Sequence, residues 1–195
     1  MPQPLEQSGS PPPAERPWES YAPVVTLRER FGDIAFDPRD TVVRGRAVGT
    51  VTVTVPADRL IEVMTFLKNE LPSPARFDML AELTCVDYLT FPGLKPARFG
   101  VTYGLLSTAA NQRMWIKVFV GEDRLNVPSA TGLWASANWF EREVFDMFGI
   151  QFDGHPDLRR ILTAPGMQFF PLRKDYPVTG RGERESLAVI RREDA

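Results

Sequence analysis

Three residues in the last third of the chain have types and spacing that could do chemistry together. Glu143 and Asp146 stand three apart, so on a helix their carboxylates share a face. His155, the only histidine, follows shortly after. Two carboxylates and an imidazole could ligate a metal or act as an acid/base pair, as in a stand-alone metal-dependent hydrolase. A plainer reading pairs the carboxylates with Arg142, Arg159 and Arg160 and makes His155, set before Pro156, a structural hydrogen-bonder. The plainer reading is favoured, because such triplets arise often by chance. Cys85, between Leu83 and Val86, reads as a small core residue rather than a nucleophile. No P-loop, dinucleotide-binding glycine pattern or nucleophile elbow is present.

Composition narrows the function classes. The chain has 195 residues, 43% hydrophobic and 25% charged, which suits one globular domain with tails. A net charge of −2 gives no reason to expect nucleic acid or an anionic membrane surface as partner. No apolar run approaches the roughly 18 residues of a membrane span. One cysteine and one histidine cannot build an iron–sulfur cluster or structural zinc site from this chain alone. That cysteine usage suits a reducing cytosol, and the N-terminus shows neither signal-peptide nor transit-peptide character.

The candidate triad begins on a helix. From Asn138, the residues Phe140, Val144, Met147 and Phe148 keep the spacing of one apolar helical face. Glu141, Arg142, Glu143 and Asp146 crowd the other sides. Asn138 with Glu141 forms a weak capping box, and Gly149 is placed to end the helix. Upstream, residues 1–23 hold seven of the 18 prolines and read as a disordered tail. Residues 24–148 read as the folded domain. Thr41–Val55 is strand-like, Pro56 opens a helix to about Glu70 with Leu60, Val63, Met64 and Leu67 inward, and Ala81–Leu89 is a further strand. Phe99–Leu105 and Met114–Val120 alternate as a hairpin pair across Thr108–Gln112. Gly121–Pro128 reads as a loop, and Ser129 or Thr131 as the cap of a short turn through Leu133 and Trp134. The order β-α-β-β-β-α gives an α+β fold, one mixed or antiparallel sheet of about four strands with helices packed on it.

Beyond Gly149 regular periods end. Repeated Gly and Pro break the segment, with turns at Asp153-Gly154 and Pro165-Gly166 and a short turn capped by Asp157 over Leu158–Leu162. Yet it carries Ile150, Phe152, Leu158, Ile161, Leu162, Met167, Phe169, Phe170, Leu172 and Tyr176, far more apolar surface than a solvated loop holds. It therefore wraps its own domain or docks on another protein. Docking is favoured, because arginines at 159, 160 and 173 suit an interface rim. The segment 149–195 reads as an extended partner-docking arm, and its deletion over 149–180 should leave the sheet folded.

These residues carry a resemblance. Glu141-Arg142-Glu143-x-x-Asp146-Met147-Phe148, followed by His155-x-x-x-Arg159-x-Ile161-Leu162, resembles the signature of the 30-kDa (C-type) subunit of proton-pumping NADH:quinone oxidoreductase, respiratory complex I. Pro171-Leu172-Arg173-Lys174-Asp175-Tyr176-Pro177 looks like that family's second block. The likeness reaches back through Leu133-Trp134, the Arg98–Ser107 strand and Cys85–Leu89, covering about residues 77–180. Phe169-Phe170 stands where members usually carry Gly-His, and the proline-rich first 23 residues match no part of the family pattern.

The resemblance implies a peripheral-arm subunit on the cytoplasmic side of a bacterial inner membrane, reaching the membrane only through its complex. It implies no catalytic residue, cofactor or metal in this chain. Flavin, iron–sulfur clusters, NADH and quinone would be bound by other subunits. Partners would be the D (49-kDa type) and B subunits. Glu141, Arg142, Glu143, Asp146, His155, Arg159, Pro171, Leu172, Arg173, Lys174 and Asp175 would hold the arm's shape or its partners. Homologous subunits of plastoquinone-linked, F420H2-oxidising and hydrogenase complexes share the same block.

Overall fold

The computed structural model describes residues 21–32, 39–43, 46–93 and 95–182. Most of the proline-rich tail lies outside them. Helix α1 (Ala22–Phe31) already begins at the tail's last residues, with Pro in the first turn, where its missing N–H costs nothing. It buries Pro23, Val24 and Leu27, so the folded part starts earlier than the expected boundary at residue 24.

The expected single strand over Thr41–Val55 is two strands. β1 (Arg39–Val43) and β2 (Arg46–Thr54) pair antiparallel, Val43 opposite Arg46. Strand-forming residues on both sides of Arg44-Gly45 concealed the reversal. The helix expected after Pro56 is present as a 3-10 turn, Ala57–Arg59, helix α2 (Leu60–Thr65), and a π turn, Phe66–Glu70. Leu60, Val63, Met64 and Leu67 are buried, as their spacing requires.

Three long strands complete the main sheet: β3 (Met79–Asp87), β4 (Phe99–Ser107) and β5 (Gln112–Val120). The order is β1-β2-β5-β4-β3, antiparallel except for β2 against β5. The fold is thus α+β with one mixed sheet, having five strands rather than about four because of the β1–β2 hairpin. Outside the sheet, β6 (Asn126–Pro128) replaces part of the expected loop and pairs in parallel with β7 (Gln151–Asp153).

One face of the sheet carries the core. Val51, Val53, Val101, Tyr103, Leu105, Met114, Ile116 and Val118 point inward from alternate positions to meet Leu27, Leu60, Met64 and Val144. Helix α3 (Ala137–Phe148) crosses beside β3. Two side-chain donors fasten its approach to that strand: Trp134 Nε1 donates to Asp78 O at 3.2 Å and Ser136 Oγ to Leu80 O at 3.0 Å. Gly149 ends α3 in the left-handed conformation, φ 78°. A side chain there would be strained, and its Cβ would lie 2.6 Å from the Phe170 ring.

Candidate functional site

Three of the four charged residues of α3 do not face water, as their types suggested. Glu141 and Asp146 are fully buried and Arg142 nearly so, while Glu143 is exposed. Each buried group fastens a different piece of chain.

Asp146 fastens the arm. Its Oδ2 accepts the successive amides of Ile161, Leu162 and Thr163, at 2.9, 2.7 and 2.9 Å. Its Oδ1 accepts Arg160 Nη1 at 2.7 Å and the Thr163 hydroxyl. Burial alone would raise this carboxyl's pKa. The Thr163 hydroxyl and amide, the Leu162 amide and Arg160 outweigh burial and hold it well below the usual carboxylate range. Three chain amides converge on one oxygen only if residues 161–163 bend around it. That bend replaces the turn expected over Leu158–Leu162, and Asp157 pairs with Arg159 at 2.9 Å instead of capping.

Glu141 fastens the chain before the helix. Ser129 Oγ donates to Oε2 at 2.7 Å and Ala130 N to Oε1 at 2.6 Å. The expected capping box with Asn138 is therefore absent, because Glu141 turns inward to the Ser129–Thr131 turn. That turn itself is as expected, with the Thr131 amide on Ser129 Oγ at 3.2 Å. Burial pushes the Glu141 carboxyl up to about 7, against the lowering effect of Ser129 and Ala130.

Arg142 Nε donates to Arg159 O at 3.1 Å and its guanidinium lies over the Trp139 ring, 4.8 Å from the centroid. His155 Nδ1 accepts the Asp157 amide at 3.0 Å, which leaves the ring proton on Nε2 to reach Asn138 O at 3.0 Å. His155 is thus the structural hydrogen-bonder of the plainer reading, and Asp146 pairs with Arg160 as that reading requires. Glu143, Asp146 and His155 are not brought together as a triad. Among the described residues, no group of three or more His, Cys, Asp or Glu side chains could hold a metal ion.

The arm's second block has its own anchor. Arg98 carries Asp87 at 2.8 Å and Asp175 at 3.1 Å, and also meets Glu122. The Asp87 carboxylate is fully buried and accepts the Lys174 amide at 2.9 Å, tying β3 to a residue 87 positions later. Arg173 Nε donates to Phe148 O at 2.6 Å, and its guanidinium lies between Phe99 and Phe170, 5.2 and 4.5 Å from their centroids. Leu172 N reaches Met147 O at 3.2 Å. Phe170 also lies under Arg160 at 5.1 Å. The departure to Phe169-Phe170 thus supplies an aromatic shelf for two arginines. Asp87 and Arg98 were visible only as parts of the resemblance, because no residue pattern announces that the last residue of β3 is a buried carboxylate.

The arm therefore begins inside its domain and continues clasped to the surface. Ile150 and Phe152 are core residues and β7 is a strand, so a deletion from 149 would open the core, contrary to the expectation above. From Gly154 to Gly182 no residue is buried. Leu162 is 64% exposed and Leu172 52%, beside Trp139 at 63% on α3.

Fold and junction together define a class: an α+β domain whose C-terminal arm is clasped by buried carboxylates while Leu162 and Leu172 stay outward. The chain belongs to the respiratory-chain NADH dehydrogenase 30 kDa subunit family, whose model matches residues 53–182. It is 49% identical over 135 residues to the C-type subunit of NADH-quinone oxidoreductase from Ruegeria pomeroyi, an alignment that covers 69% of this chain and 64% of that protein. A solved trypsin-resistant fragment (1–134) of Nqo5 is 35% identical, with TM-score 0.58, covering 69% of this chain and 96% of the fragment. The membrane-bound sulfane sulfur reductase, an archaeal respiratory membrane complex, contains a chain with TM-score 0.59. At 22% identity over 82% of this chain and 86% of that one, it shares the fold.

Proposed function

We propose that this chain is a peripheral subunit of a proton-pumping NADH:quinone oxidoreductase and serves assembly rather than chemistry. The observation that carries this reading is the arm. The family match runs through residue 182, and polar clasps hold the arm in shape while Leu162, Leu172 and Trp139 remain uncovered. Uncovered apolar side chains on a fixed backbone are the form of a preorganised interface, because the ordering cost of binding has already been met. The partners we assign are the D (49-kDa type) and B subunits, beside which the chain supports electron transfer from NADH to quinone.

Under this reading the chain holds no flavin, iron–sulfur cluster or quinone of its own. Asp146, Glu141 and Asp87 are spent on holding the fold, so we assign no catalytic residue here. No helix among the described residues is long and apolar enough to cross a membrane. We place the chain on the cytoplasmic face, attached through its complex. The 49% identity to the Ruegeria pomeroyi protein favours complex I over the related complexes that share the block. The test is purification of the tagged chain from native membranes in mild detergent. Recovery of the D and B subunits with NADH:quinone activity is expected, and recovery of the chain alone would refute the assignment.

A further inference from the structure

The turn that follows β3 carries two large apolar side chains that the core does not use. Leu89 is 51% exposed and Phe91 52%. Several contacts nevertheless fix their backbone. Tyr88 N donates to Arg98 O at 2.7 Å, and Phe91 N to Tyr88 O at 3.0 Å. The Tyr88 ring lies close over β4, where a Cβ on Gly100 would meet it at 2.8 Å. There it meets Phe119 and, edge-on, Phe91, with centroids 5.8 and 5.4 Å away. Lys117 Nζ donates to the Tyr88 hydroxyl at 3.3 Å, and Lys95 lies over the Phe91 ring at 4.8 Å. Among the described residues neither lysine has a carboxylate within ion-pair distance. The turn also adjoins the arm. Asp87 Oδ1 accepts the Leu89 amide and its Oδ2 the Lys174 amide, each at 2.9 Å. Two residues before Lys174 stands the exposed Leu172. The turn and the arm's second block are thus pinned to one buried carboxylate, each bearing apolar side chains open to solvent.

We propose that the turn at residues 88–91 is a second contact for the subunit that takes the arm, and that it receives a segment of that subunit in which apolar side chains stand beside carboxylates. Three observations select this occupant. The first is continuity: one carboxylate fixes turn and arm together, so a partner seated on Leu172 has Leu89 as a neighbouring anchor. The second is charge. Asp87, Asp175 and Glu122 are all engaged by Arg98, which leaves Lys95 and Lys117 as the uncompensated charges beside the rings. Cations in that position call for anions on the facing surface. The third is order. Phe91 and Leu89 project from a backbone already fixed, so a partner meets little ordering cost, and an aromatic anchor of this kind is what interfaces are enriched in. The inference rests on the assembly reading above and extends its surface to a segment outside the arm.

The test is photocrosslinking in native membranes. A benzophenone amino acid replaces Phe91 in one tagged chain and Leu172 in a parallel one. Each chain is irradiated within its complex and its adduct identified by mass spectrometry. Both positions should capture the same subunit. Reversing the charges with Lys95→Glu and Lys117→Glu, both outside the core, should lower the yield at position 91 severalfold and leave the yield at 172 unchanged. An adduct at 172 with none at 91, or with a different subunit at 91, would overturn the inference and leave the assembly reading standing. A yield at 91 undiminished by charge reversal would overturn the partner chemistry assigned here. No adduct at either position would refute the assembly reading and the inference with it.

Discussion

Asp146 and Arg160 meet at 2.7 Å across the end of α3, with the carboxylate fully buried and the guanidinium nearly so. The pair turns a helix residue into the peg on which residues 160–163 hang. Removing one partner of such a pair leaves a buried, uncompensated charge or a set of unpaired amides, typically costing about 3–5 kcal/mol. Asp146→Ala should therefore destabilise the domain by several kcal/mol in urea unfolding, and limited trypsin digestion should open the chain at Arg159 and Arg160. A stable variant with unaltered digestion would contradict the peg. The pH dependence has a definite sign. Because the folded carboxyl titrates below its unfolded value of about 3.9, its stabilisation is complete above that value and is lost as pH falls through the folded one.

Glu141 behaves in the opposite sense. Its folded value is raised to about 7, so ionising it opposes folding. Stability contributed by the protonated form is full below about 4.3 and is lost as pH rises through about 7, by roughly 4 kcal/mol at most. Glu141→Gln keeps an acceptor for Ala130 N and a polar partner for Ser129. It should flatten the stability profile between these limits, as read from denaturation midpoints across pH. A profile as steep as that of the parent chain would show that Glu141 does not titrate there.

Tyr103 offers a sharper test of the same neighbourhood. Its ring is fully buried, its hydroxyl finds no hydrogen-bond partner among the described residues, and burial followed by the Glu141 charge lifts its pKa well above the usual value. An unpaired buried hydroxyl costs about 1–3 kcal/mol. Tyr103→Phe should thus leave the domain as stable or more stable by thermal unfolding, against the usual loss for a core substitution. A lower melting temperature would reveal a partner for the hydroxyl.

Arg98 should tolerate no substitution. Its fork spans Asp87 and Asp175, a geometry an ammonium cannot copy. Arg98→Lys is expected to loosen the 171–177 block, seen as faster amide exchange at Lys174, whose N–H rests on Asp87. Unchanged exchange at Lys174 would separate the block's order from Arg98.

Much of this was legible from residue patterns. The α3 stripe, the Gly149 stop, the β4–β5 hairpin and a sticky arm all follow from period, φ preference and turn chemistry. The destinations of the charges did not. Glu141 and Asp146 have the sequence look of a solvated face, and the groups that bury them are mostly backbone amides at 130 and 161–163, which no side-chain pattern announces. Helix α1 was missed because a short, arginine-rich segment beginning at a proline lacks a clear apolar period. The β1–β2 reversal was missed because strand-forming residues continue on both sides of it.

The central claim is that the clasped arm presents its uncovered apolar side chains to neighbouring subunits. Leu162→Asp and Leu172→Asp together test it directly, because neither side chain contributes to the core. Tagged parent and double variant are purified from native membranes, and the D and B subunits recovered with each are quantified. The double variant should keep the parent's unfolding profile and lose those subunits. Undiminished recovery of both by the folded variant would contradict the claim.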